Sequence, residues 1–258
     1  MHRLFLSLAT CLGLAACAAA PSIVPQRGTT AIPHTDSVTA DTPVNVSPAQ
    51  AARLLSPQMD GQMAMRSLLS VVETVEPVAE ALCREQAPDL NCDFVFAIDQ
   101  NPDAQPNAFQ TIDKEGRPLI AFTATLLTEA RNSDELAFIL SHEAAHHIAG
   151  HLARQRRNAS IGAAIMGQVA GLSGDADVGR KAAEFGAAIG ARTYSKEFEL
   201  EADALGTEIA ARAGFDPLRG ADFFFRIPDP GDTFLGTHPA NAERLRIVQR
   251  TAAQLGLT

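Results

Sequence analysis

The sequence predicts an α+β domain, mostly helical with one small β-sheet, on three observations. Helical periodicity runs through most of the chain from residue 48 onward. β-rich runs are confined to one window, "DFVFAID" and "NAFQTIDKEGRPLIAFTATLL", residues 93 to 127. Turn formers punctuate the remainder at Gly171 to Gly174, at "GFDP" and at "IPDPGD". With 258 residues, 46% of them hydrophobic, the chain has material for one buried core plus appendages. Its formal charge of -9 argues against a nucleic-acid partner, which needs clustered Lys and Arg.

The opening "MHRLFLSLATCLGLAACAAAP" has Arg3, an apolar run from Leu4 to Leu14 too short to span a bilayer, and small residues before Cys17. Residues 1–16 therefore read as a signal peptide. Leu14-Ala15-Ala16-Cys17 resembles the lipobox of bacterial lipoproteins, which makes Cys17 the lipidated first residue; a plain cleaved signal is the alternative. Ala18, where aspartate would retain a lipoprotein, resembles outer-membrane sorting. The expected location is the periplasmic face of a bacterial envelope membrane, held by the lipid anchor only. Residues 17–47, rich in Pro, Thr, Ser and Ala, read as a flexible tether, and 48–258 as the domain.

Within that domain, Ser47-Pro48 and Ser56-Pro57 each read as a helix start, followed by a helix to Cys83 bent at Pro77. Cys83 and Cys92 flank the turn-forming "REQAPDLN" and would close a small disulfide loop in an oxidising space, with free buried thiols as the alternative. A strand at "DFVFAID" and a hairpin turning at Lys114-Glu115-Gly116 come next. From Ser133 a helix is expected to run without a break through "ELAFILSHEAAHHIAGHLARQRR", its basic residues closing the last turns. "NASIGAAIMGQVAGLSG" reads as close-packed helices in water rather than a membrane hairpin, being short and interrupted by Asn158, Gln168 and Asp175.

The chemistry concentrates in "SHEAAHHIAG". Four residues apart on a helix, His142 and His146 can aim imidazoles at one point, while Glu143 lies about 100° around, able to reach a water on a bound ion. Two neutral nitrogens, one base and open positions suit catalytic zinc. His147 and His151 read as surface or hydrogen-bonded histidines. The longer motif with a third histidine is excluded, because Ala149 and Leu152 stand where it needs Gly and His. A remote ligand must come from "YSKEFELEADALG", where Glu199 and Asp203 share a helix face and Glu201 points away. Glu199 is then the third ligand, and Asp203 the acceptor that fixes a ligand histidine; a solvated acidic face is the bland alternative.

"HEAAH", "EFELEADALG", "AGFDP" and "THPANAERL", in that order, resemble the zinc metallopeptidases of family 48, the gluzincin group with HtpX, BepA and the CaaX prenyl proteases. The resemblance covers roughly residues 60 to 250 and points to its soluble periplasmic lipoprotein branch. It implies an active-site helix beside a small sheet, one zinc per chain, and Glu199 as third ligand. It also draws His238 toward the site, as a fourth ligand that silences the enzyme or as an oxyanion donor, a role Arg244 could share unless it forms an ordinary ion pair. Tyr194 is expected in packing. The expected activity is zinc-dependent endoproteolysis of unfolded or misassembled envelope proteins in quality control, with Glu143 as general base. The rival reading is a metal-binding chaperone or assembly factor that does not cut.

Overall fold

Why the helices end where they do is visible in the computed structural model, which describes residues 48–172, 174–192, 195–226 and 241–257. The leader, Cys17, the tether, Tyr194 and His238 lie outside the described residues. Helix α1 spans Pro48–Leu54 and α2 Gly61–Gln86, the latter running through Pro77. Its start is not Ser56-Pro57. The Asp60 carboxylate accepts the Met63 N–H at 2.8 Å and so fixes the first turn four residues later.

Strands β1 (Val95–Asp99), β2 (Ala108–Ile112) and β3 (Pro118–Thr123) form one mixed sheet in the order β1-β3-β2. The expected hairpin is β2–β3, with Phe109 opposite Ala121; β1 joins the other side of β3 in parallel. Gly116 takes φ 81 in the turn, and Asp113 Oδ1 accepts the Glu115 and Arg117 N–H groups at 3.0 and 2.7 Å. Central β3 is buried almost throughout, whereas β2 keeps an outer edge.

Thr123 caps the short α3 (Ala124–Glu129). Helix α4 (Ser133–Ile148) follows, wedged among α2, the sheet and α7, and nearly all of it is buried. It does not continue to Arg157. Gly150 takes the left-handed conformation at φ 67, which ends α4 and restarts the chain as α5 (His151–Gly171). The basic residues 154, 156 and 157 therefore sit in the first turns of a new helix. Helix α6 (Ala176–Arg192) folds back along α5, and α7 (Ser195–Arg212) packs against α4. The short α8 (Pro217–Gly220), a 3-10 turn (Ala221–Phe225) and α9 (Asn241–Gln254) complete the described residues.

The sulfurs of Cys83 and Cys92 are bonded, closing the loop that carries Asn91. The fold is α+β as expected, mostly helical with its sheet beside α4. No helix among the described residues is long and apolar enough to cross a membrane.

Candidate metal centre

Helix α4 holds polar side chains in an apolar setting, where an unpaired group is costly, and apart from Ser141 Oγ its buried groups find partners. Its N-terminus is closed by Asn132, which accepts the Glu135 N–H at 3.0 Å, while Glu135 turns back to accept the Arg131 N–H at 2.9 Å. One turn apart further along, His142 and His146 bring their Nε2 atoms to 3.0 Å. Glu199, early in α7, places Oε2 3.4 Å from His142 Nε2 and Oε1 3.4 Å from His146 Nε2. Two helices thus deliver three ligand atoms to one point.

Gly206 permits this approach. A Cβ there would stand 3.0 Å from both N and Cα of His142, so any side chain would push α7 off α4 at the site. Both atoms are backbone and cannot swing away.

Each imidazole is oriented through its other nitrogen. His142 Nδ1 donates to Asp203 Oδ1 at 2.9 Å, and the fully buried Asp203 also receives Arg244 Nε and Nη2 at 2.8 and 2.7 Å. The Arg244 guanidinium lies 3.9 Å from the centre of the Phe224 ring. Arg244 thus forms an ion pair at the wall of the site, with Nη2 also 3.7 Å from Glu199 Oε2. His146 Nδ1 lies 2.9 Å from His151 Nδ1, and His151 Nε2 lies 3.1 Å from Glu201 Oε2. If Nε2 of His146 faces the ion, one tautomer fits: His146 Nδ1–H donates to His151, and His151 Nε2–H to Glu201. Phe198 stacks on His151 and Arg154 pairs with Glu201 at 2.7 Å.

The sequence reading missed His151 as a partner, because only the break at Gly150 turns it back toward His146. His147 is buried, and donates from Nε2 to the Asn91 carbonyl at 2.7 Å, pinning the disulfide loop to α4. Glu201 points away from the ligand cluster, as the face argument expects.

The electrostatics favour a cation. Burial opposes charge on His142, yet the hydrogen bonds it donates to Asp203 and Glu199 push it up to about 9. Burial and the neighbouring His142 push His146 down to about 3. Burial raises the Glu143 carboxyl above its ordinary range, Glu199 reinforces this, and His142, Arg244 and the Gln110 N–H oppose it.

Among the described residues, His142, His146 and Glu199 form a set whose ligand atoms all lie within 4.8 Å. The 3.0 Å between the two Nε2 atoms, and the 3.4 Å from each of them to one Glu199 oxygen, Oε2 toward His142 and Oε1 toward His146, are close to about 3.3 Å, the edge of a tetrahedron with metal–ligand bonds of about 2.0–2.1 Å. The donor set fits a divalent ion of the zinc type. It opens on a cleft of about 820 Å³, lined along one side by β2 and elsewhere by apolar groups including Ile139, Phe198 and Phe223.

The peptidase family M48 profile matches residues 70–252. The chain belongs to peptidase family M48. It is 28% identical over 153 residues to the β-barrel assembly-enhancing protease of Escherichia coli O157:H7, covering 53% of this chain and 31% of that one. It is 29% identical over 153 residues to the protein of that name from Yersinia pestis, with the same shares. To the mitochondrial metalloendopeptidase OMA1 of Schizosaccharomyces pombe it is 26% identical over 192 residues, 71% of this chain and 55% of the relative. This M48 chain thus spans about a third to a half of these relatives' lengths.

Proposed function

We propose that this chain is a zinc-dependent endopeptidase that cleaves unfolded or misassembled proteins of a bacterial envelope, held at the periplasmic face of the membrane by a lipid on Cys17. One observation carries the chemistry: two imidazole nitrogens and a carboxylate at metal-binding spacing share a cleft with a half-buried glutamate one residue from a ligand. His142, His146 and Glu199 hold the ion. Zinc supplies Lewis acidity, lowering the pKa of the attacking water and polarising the scissile carbonyl.

The chain's own residues do the rest. Glu143 takes the proton from water and returns it to the departing amine, and a carboxyl raised by burial suits both transfers. Asp203, clamped by Arg244, and His151, backed by Glu201, fix the two imidazoles. A substrate strand lies along the outer edge of β2, where Asn107 to Gln110 line the cleft, and pairs through its backbone. Backbone pairing reads shape rather than sequence, so selectivity is modest, with apolar side chains favoured by the phenylalanine-rich wall. Arg244 Nη2, 3.4 Å from the His142 ring, is within reach of the site edge and serves the reaction mainly through Asp203. For His238, which lies outside the described residues, the role we propose is either an added ligand that imposes latency or an oxyanion donor. The opposite effects of His238→Ala, gain or loss of activity, separate these roles.

Two of the relatives are β-barrel assembly-enhancing proteases and one is a metalloendopeptidase, which supports the quality-control reading. The test is hydrolysis of an unfolded protein by the wild type and by Glu143→Gln. Cutting by the wild type alone, with zinc retained in both, supports the peptidase; if neither cuts while both suppress aggregation, the chain is a chaperone.

A further inference from the structure

Helices α5 and α6 form an antiparallel hairpin whose backbones touch. A Cβ on Gly162 would strike the Gly186 carbonyl, and one on Gly190 the Asn158 carbonyl. So close an approach leaves little room for apolar side chains between the helices, and they emerge elsewhere. Ile161, Ile165 and Val169 on α5, Leu172 just past its end, and Val178 and Phe185 on α6 are 46% to 89% exposed. At about 100° per residue, each set is rotated roughly a quarter turn, in the same sense, from its helix's glycine contact line. Because the helices run antiparallel, equal rotation puts both sets on one side of the hairpin. The result is a continuous apolar face about 17 Å long.

Charge distinguishes what could cover it. Residues 151 to 192 contain six basic and three acidic residues, in a chain with 21 basic and 30 acidic. Arg157 and Lys181 border the apolar face on its two outer flanks, while Asp177 and Glu184 lie further round α6, paired with Lys181 and Arg180. Apolar centre and cationic border are the pattern of a helix lying in a lipid headgroup layer, long basic stems reaching up to phosphates. A second copy would set two cation-bordered faces against each other. Neither helix is both long and apolar enough to cross a membrane.

We infer that this face of the α5–α6 hairpin docks on an anionic bilayer surface. The contact is additional to any acyl anchor and does not depend on the proposed peptidase activity. Since α5 starts beside His146 and α6 leads into the helix bearing Glu199, docking holds the cleft close to the membrane.

The test uses the full chain carrying Cys17→Ser, so that no acyl group contributes. It is sedimented with vesicles of equal parts phosphatidylglycerol and phosphatidylcholine, and with vesicles of phosphatidylcholine alone. Binding to the anionic vesicles is expected, reduced about tenfold or more by Ile165→Asp with Phe185→Asp and weakened by salt. These exposed positions lie outside the site, so the circular dichroism spectrum and Tm stay unchanged and report an intact fold. Absence of vesicle binding, binding indifferent to the two aspartates, or a dimer in solution that they dissolve without any vesicle binding would each overturn the inference.

Discussion

The metal centre and the α5–α6 hairpin break the same rule in opposite directions. At the centre, His142, Asp203 and Arg244 are buried in an apolar helical body, whereas on the hairpin Ile165, Val169 and Phe185 stand in water. Burying charge is costly unless it is paired, and exposing a broad apolar face is costly unless something covers it. Both departures are organised rather than scattered. Carboxylates turn inward around one point in the first, and Arg157 and Lys181 flank an apolar strip in the second. The difference teaches that each region is shaped for a partner of the complementary kind, a cation in one case and a lipid surface in the other.

The largest expected effect sharpens the first half of that contrast. Glu143→Gln should lower peptide hydrolysis by about 10²–10⁴-fold while leaving metal content unchanged, as read by turnover and elemental analysis of the same sample. Next comes the support of the ligands. Asp203→Ala should weaken metal binding about 10–100-fold, and His151→Phe, which keeps the stacking on Phe198, should weaken it toward the lower end. Gly206→Ala should impair binding too, by pushing α7 and its Glu199 away from α4; a chelator competition that finds wild-type affinity would refute the close-approach argument.

Proton competition gives a graded test. Because His142 in the metal-free protein is pushed up to about 9, the ion must displace its proton, so affinity should rise about tenfold per pH unit between roughly pH 7 and 9, then level. The stability of the metal-free fold runs oppositely. The raised His142 contributes fully below its unfolded value near 6.5, and that contribution is lost as pH climbs through about 9. Smallest is the staple. Cys83→Ser with Cys92→Ser should cost roughly 2–3 kcal/mol, seen as a lower Tm with hydrolysis at room temperature kept.

Much of the centre is legible in the sequence because helix geometry is local. The four-residue steps from His142 to His146 and from Glu199 to Asp203 fix shared faces without any tertiary knowledge. The β2–β3 hairpin is legible for the same reason, through the turn at Gly116. What escaped reading depends on contacts distant in sequence. Gly150 sits in a pattern that is helical on both sides, and a lone glycine there costs a helix only about 1 kcal/mol, so it does not announce a break. Without that break His151 faces away, and its link to Glu201 is invisible. Gly206 reads as one more small residue until α4 is laid against it, and the exposed face of α5–α6 follows from how two helices pack rather than from either alone.

The most direct test is the metal content of gently purified full chain, by elemental analysis together with hydrolysis before and after chelation. The expected result is one zinc per chain, lost with activity on chelation and restored with it when zinc is returned. A chain that holds no stoichiometric metal and behaves identically with and without chelator would contradict the assignment of His142, His146 and Glu199 as ligands.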